Sequence, residues 1–298
     1  MPRPKLLITG ASGFIGSRLF KDLAPEWDAA GPRIELSAPE QAEKAVLALA
    51  PEAVVHTAAM AGPDECQLQP ELAARVNTDG AEAVARACRK LEARLVFFST
   101  DLVFDGRGSW YKETDPPRPI SVYGRAKLAA EDAVRRECPT AAVLRVASVY
   151  GLALAGRPSF LDTLLDKLSR EERVPCFTDQ WRTATACAQL PELMRRLLRR
   201  PDLGGVFHWA GPERMSRLEF STAVCRAFGL PEGLLVPSRM ADARFPAPRP
   251  RDTSLDSGKL SRLLGLAPWT LEQGLDQARR ASEEPGAGPR PCGRAAGA

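Results

Sequence analysis

The 298-residue chain is short of most features that settle a protein's class at sight. No stretch approaches ~18 consecutive apolar residues, so no membrane span is expected. The start, "MPRPKLLITG", has no apolar run long enough for a signal peptide. The seven cysteines are scattered, odd in number and free of C-x-x-C spacing. That argues against a disulfide framework or a zinc site and for reduced thiols in a cytoplasmic protein. The formal net charge is only +4, with both signs interleaved. A nucleic-acid partner is therefore not demanded, although an anionic small molecule would be welcome. No internal repeat is visible.

What is present points to a folded α/β chain. Hydrophobic residues make up 44%, enough for a real core, and the length suits one large domain or two smaller ones. "KLLIT" (5–9) reads as a buried strand, and glycines follow at Gly10, Gly13 and Gly16. A helix with Ile15, Leu19 and Leu23 on one face comes next. Strands at "AVVHTAA" (53–59), "RLVFFS" and "AAVLRVASVYG" then alternate with helical stretches. This alternation predicts a doubly wound parallel sheet of the Rossmann kind; after Gly151 the rhythm breaks, and a smaller C-terminal lobe is expected there. The expected division is 1–150 for the nucleotide-binding domain, with 184–210 returning to it through the "VFHWAG" strand. Residues 151–183 and 211–280 would form a substrate-binding lobe. "ATACAQLPELMRRLLRR" reads as a helix interrupted by Pro191. The proline-rich "RFPAPRPRDTSLD" needs something to order it, and 281–298 is poor enough in apolar residues to read as a disordered tail.

The glycines carry the first chemical signal. Gly10, Gly13 and Gly16 let a backbone turn tightly, approach a pyrophosphate and pack the following helix close to the strand. Ser12, Phe14 and Ile15 share that turn and the helix N-terminus. A ribose-binding acid is expected about 20 residues on. Here "GPRIELS" offers Arg33, then Glu35. Arg33 near a 2′-phosphate would favour NADPH, with NADH left open; a solvated surface arginine is the other reading.

The second signal is a polar interruption. "FFSTDLVFDG" places Ser99, Thr100 and Asp101 at the end of an apolar strand. Such groups are costly there unless something meets them. The third is "YGRAK": Tyr123 and Lys127 share one helix face at i and i+4. An ammonium beside a phenol favours the phenolate and brings its pKa, ordinarily about 10, toward the range useful for proton exchange with a carbonyl or alcohol. Cys88 and Cys138 read as core thiols, and His56 and His208 as satisfied strand-end side chains.

Together with "HTAA" (56–59) and "VN" (76–77), these motifs make the chain resemble an extended short-chain dehydrogenase/reductase. More narrowly, "STDLVFDG", "VYGRAKLAAE", "VLRVASVYG", "FTDQWRTAT", "GVFHWAG" and "APRPRDTSLDSGKL" resemble the dTDP-4-dehydrorhamnose reductase family. The resemblance implies a catalytic set of Thr100 on the substrate carbonyl, Tyr123 as proton donor and Lys127 on the nicotinamide ribose. It implies cofactor contacts at Ala58 and Ala59 and an adenine contact at Glu35. Asn77 would anchor the active-site backbone or make a plain helix-interior contact. Asp101, Arg249 and Arg251 are candidates to meet the substrate.

Two positions depart from the family. Leu102 stands where members carry Tyr after "STD", and Ser148 where they carry Trp. Both aromatics sit by the sugar in the family, so their loss is expected to widen the pocket and to leave the substrate undefined. Arg18 stands where some members use an acid to bridge a dimer through Mg²⁺, so no metal is expected and any homodimer would lack that link. Three functions stay open: an NADPH-dependent reductase of a nucleotide-linked 4-keto-deoxysugar, a same-fold reductase of a non-sugar ketone, and a cofactor-binding regulatory subunit without turnover.

Overall fold

A computed structural model describes residues 2–283. β1 (Lys5–Thr9) leads through the glycine turn into α1 (Phe14–Leu23), and β2 (Asp28–Ala30) into α2 (Pro39–Leu49). β3 (Ala53–His56) is followed by α3 (Pro63–Leu68) and α4 (Pro70–Ala74). A π-helical turn, Arg75–Asp79, joins α4 to α5 (Gly80–Leu91). β4 (Arg94–Thr100), α6 (Val122–Glu137) and β5 (Ala142–Val146) complete the first alternation.

The second half is built from shorter pieces. They are β6 (Val149–Tyr150), α7 (Phe160–Ser169), β7 (Val174–Phe177), β8 (Trp181–Thr183), β9 (Thr185–Ala186) and α8 (Leu190–Leu198). β10 (Gly205–Trp209), β11 (Arg214–Ser216), α9 (Arg217–Phe228), β12 (Leu235–Ser238), α10 (Gly258–Leu264) and α11 (Leu271–Glu283) follow. Serine starts two of these helices: Ser159 and Ser216 each accept the amide three residues on and close a capping box, with Asp162 and Glu219.

Six strands form one sheet in the order β10-β5-β4-β3-β1-β2, every neighbouring pair parallel. Successive strand residues face opposite sides, which is why β1 is apolar on both faces from Leu6 to Ile8. Leu6 and Ile8 pack with Leu19, Met194 and Trp209, while Leu7 packs with Val46, Val84 and Val134. The chain steps from β1 to β2 on one side and then to β3 on the other. That switch opens a crevice at the C-terminal ends of β1 and β3, the ordinary ligand site of open α/β sheets. Tyr150, Leu164, Cys176, Phe220 and Leu275 centre a separate core in the second half. Cys88 and Cys138 lie in the apolar core beneath α5 and α6. No described helix is long and apolar enough to cross a membrane.

Three details differ from the sequence reading. Pro191 does not interrupt a helix: it sits in the first turn of α8, where its missing N–H costs no hydrogen bond. Residues 211–280 do not all belong to the lobe, because Leu260, Leu264 and Leu266 join the core under the main sheet beside Phe207. α11 runs on to Glu283, past the expected start of the tail, because Ala278 still has apolar neighbours in the lobe core; the rest of that tail lies outside the described residues.

Candidate active site

The glycine turn fits a dinucleotide. Gly10 has φ +72°, and a β-carbon there would stand 2.8 Å from the backbone N of Ala58. The two strand ends therefore meet backbone to backbone, with Ala58 N bonded to the Thr9 hydroxyl at 3.4 Å. Gly13 caps α1 without a side-chain bond, and no acid occupies the first turn. No carboxylate therefore competes at the amides of Phe14, Ile15 and Gly16, where a helix N-terminus favours a negative group. Ser12 lies under the loop after β6: a β-carbon on Gly156 would stand 2.9 Å from the Ser12 carbonyl. Arg33 is exposed beyond β2. The Glu35 carboxylate already accepts the amide and hydroxyl of Ser37, which also holds its pKa below the usual range. The adenine contact expected of Glu35 competes with that local turn.

Asn77 clamps the segment after Ala59. Its amide accepts from Met60 N at 2.8 Å and donates to Met60 O at 3.0 Å. Of its two readings, the geometry matches the backbone anchor.

The other wall of the crevice comes from β4 and α6. Ser121 caps α6 by accepting the Gly124 amide, which starts the helix in register for Tyr123. Thr100 lies at the end of β4 and donates to Asp101 Oδ1 at 3.2 Å, while its oxygen accepts the Leu102 amide. The Thr100 hydroxyl also faces the Tyr123 phenol. Tyr123 is buried, and burial, then the charge of Asp101, push its pKa well above the ordinary phenol value.

Lys127 corrects the expected division of labour. Its ammonium donates to Phe98 O at 2.7 Å and lies 4.0 Å over the Phe97 ring. Burial lowers its pKa to about 7, with Glu131 opposing the fall. The four-residue spacing puts Tyr123 and Lys127 on one face, but Lys127 turns to a backbone carbonyl rather than to the phenol.

Several participants had no place in the sequence reading. Glu131, two turns after Tyr123, takes the Ser99 hydroxyl at 2.5 Å and the Arg145 guanidinium at 2.6 Å. Arg145 also reaches His208 Nε2 at 3.4 Å, and His208 Nδ1 meets the Tyr111 carbonyl. His208 is thus satisfied as expected, whereas His56 bonds Thr9 through Nδ1 and its buried Nε2 has no partner among the described residues. The i+8 spacing of Glu131 was the available signal for it; nothing local marked Arg145.

The candidate substrate residues divide. Leu102 packs in the cluster of Met60, Cys66 and Tyr123, so it fills space beside the phenol. Ser148 is half-buried with φ +40° between β5 and β6. Asp101 uses Oδ1 on Thr100 and Oδ2 on Arg182 and Thr253, which makes it a structural acceptor. Arg249 is paired with Asp64 at 2.7 Å, and Arg251 is exposed over the Trp181 ring. A cavity of about 210 Å³ is lined by Phe160, Phe177, Gln180, Arg217, Phe245 and Arg249. Arg217 donates to Gln180 and lies 4.3 Å over Phe160. Among the described residues no carboxylate pairs with it; burial, then nearby Arg182, lower its pKa to about 10.

Residues 4–283 match the model of the RmlD substrate binding domain. The chain belongs to that family. The RmlD-type chain is 31% identical to methionine adenosyltransferase 2 subunit beta of Danio rerio, over 89% of this chain and 86% of the relative. It is 32% identical to the probable low-salt glycan biosynthesis reductase Agl14 of Haloferax volcanii, over 90% and 95%. A solved dTDP-4-dehydrorhamnose reductase from Bacillus anthracis, in complex with NADP, superposes with a TM-score of 0.87 at 26% identity, covering 93% of this chain and 98% of that one. Family, sheet and glycine cradle make this RmlD-type chain a nicotinamide-dependent oxidoreductase of the extended short-chain type.

Proposed function

We propose that this chain is an NADPH-dependent ketoreductase that reduces a nucleotide-linked 4-keto-deoxysugar. One observation carries the reading: Thr100 at the end of β4 acts on the Tyr123 phenol, Lys127 donates to Phe98 of the same strand, and the glycine turn follows β1 at the same end of the parallel sheet. The nicotinamide supplies the hydride when bound. The glycine turn and the amides of α1 would hold its pyrophosphate, and the exposed Arg33 beyond β2 would meet a 2′-phosphate. Lys127 spends one N–H on Phe98 and keeps two for the ribose hydroxyls. Thr100 exchanges its bond to Asp101 for one to the carbonyl oxygen. Tyr123, kept neutral by burial, donates its proton to that oxygen as the carbon becomes an alcohol.

The Arg217 cavity supports an anionic substrate. A guanidinium that makes no salt bridge among the described residues, set over the Phe160 ring, suits a diphosphate. Agl14 is described as a reductase, and the solved relative is named for a dTDP-linked keto sugar. The adenosyltransferase relatives favour a second reading, a cofactor-binding subunit without turnover.

Thermal shift with NADPH, NADH, dTDP and UDP, followed by turnover assays, separates the readings. Stabilisation by NADPH and dTDP together supports the sugar reductase, and by NADPH alone the non-sugar reductase. NADPH oxidation with a ketone, reduced at least ~100-fold in Tyr123→Phe, removes the regulatory reading. Full activity in Tyr123→Phe refutes the assignment of Tyr123.

A further inference from the structure

Residues 151–158, between β6 and α7, form neither helix nor strand, and 154–158 are exposed. Both ends of this loop are fixed. The Ser159 hydroxyl donates to the Gly151 carbonyl at 2.6 Å, and the Ala153 amide donates to the Asp162 carboxylate of α7 at 3.2 Å.

Between those anchors the loop meets two separate segments. On one side Gly156, with φ +83°, lies on the glycine turn: a β-carbon there would stand 2.9 Å from the Ser12 carbonyl oxygen and 3.0 Å from Gly13 Cα. On the other side the Arg157 guanidinium donates to Glu65 Oε2 on α3 at 3.0 Å and passes close to Gly62. The first segment follows β1 and the second follows β3, the two paired strands whose ends flank the crevice. Two consecutive residues of one loop therefore hold opposite lips of that crevice.

The Glu65 side is a fixed post. Its neighbour Asp64 takes Arg249 at 2.7 Å and the Ala247 amide at 3.0 Å, which ties the start of α3 to the second half of the chain. Arg157 is the free half: its side chain is 81% exposed and that of Glu65 37%. Such a pair is weak enough to break and remake readily.

We propose that residues 151–158 are a strap across the cofactor crevice, latched by Arg157 to Glu65, that must open for the dinucleotide to enter or leave. This rests on the reading of the glycine turn as the pyrophosphate site and not on the catalytic roles. A dinucleotide is bulky at both ends and narrow at its pyrophosphate. A strap over that waist passes neither the adenosine half nor the nicotinamide half while latched. The latch joins two protein groups, so it adds to the barrier for entry and exit alike.

Stopped-flow fluorescence of NADPH gives the association rate, and a chase with excess NADP⁺ gives the dissociation rate. Arg157→Ala and Glu65→Gln should each raise both rates by about twofold to fivefold, with Kd held within about twofold. Unmoved rates in both variants overturn the proposal. Slower dissociation in Glu65→Gln also overturns it, because an arginine released from Glu65 would then be holding the phosphates itself. Absence of NADPH binding in the wild type would refute the cofactor site along with the strap, whereas binding with unmoved rates refutes the strap alone.

Discussion

A β-carbon on Gly124 would stand 2.2 Å from the carbonyl oxygen of Leu102. The absence of one lets α6 lie against the turn after β4 and brings Tyr123 to Thr100. Gly124→Ala should therefore force the helix outward. The expected cost is about 1–3 kcal/mol of stability, with a fall in kcat and little change in NADPH affinity. Urea unfolding, turnover and cofactor titration on one preparation check this; unchanged kcat would mean that the approach does not set the site.

The pair of Glu131 and Arg145 is almost fully buried at 2.6 Å. Removing one member leaves the other charged and dry. Glu131→Gln or Arg145→Met should each cost about 3–5 kcal/mol. The double variant Glu131→Gln/Arg145→Met should cost less than the sum, by about 1 kcal/mol or more. A double-mutant cycle in denaturant measures the coupling, and strict additivity would mean the two act separately.

His56 and His208 are buried and neutral, and burial lowers both pKa values from 6.5 to about 3. The unfolded chain binds more protons than the native one between those values. Stability contributed by the neutral rings is therefore complete above 6.5 and lost as pH falls toward 3. Melting temperatures across that window should fall less steeply in His56→Gln, at a lower starting stability. An equal slope would show that His56 is not a source of the acid sensitivity.

Gly10→Ala adds a β-carbon 2.8 Å from Ala58 N at a residue with φ +72°. The left-handed backbone alone costs an alanine about 1–2 kcal/mol. The turn should shift and weaken NADPH binding by ~10-fold or more. The NADPH-induced rise in melting temperature reports this without any substrate; a rise equal to wild type would place the cofactor elsewhere.

Much of the fold was legible. Strand-helix alternation, the apolar runs and the glycine spacing are local patterns, and they produced the parallel sheet without tertiary information. The misreadings came where packing decides. Pro191 looked like a break because only the start of α8 shows that its N–H is unneeded. The expected lobe includes α10 because nothing in "GKLSRLL" says which core Leu260 enters. The loop of residues 249–257 gave no local reason for order. Trp181, Arg182 and Thr183 supply it, through bonds to the backbones of Pro250, Arg251, Thr253 and Leu255.

By itself the sequence determined the strand ends and helix faces that carry Gly10, Thr100, Tyr123 and Lys127, because backbone periodicity places them. Only the tertiary structure decided the electrostatics. Lys127 is turned to Phe98, and Asp101 is bound by Arg182 and Thr253, residues 81 and 152 positions away along the chain. Burial and distant charges set proton affinity, and neither is written in local spacing.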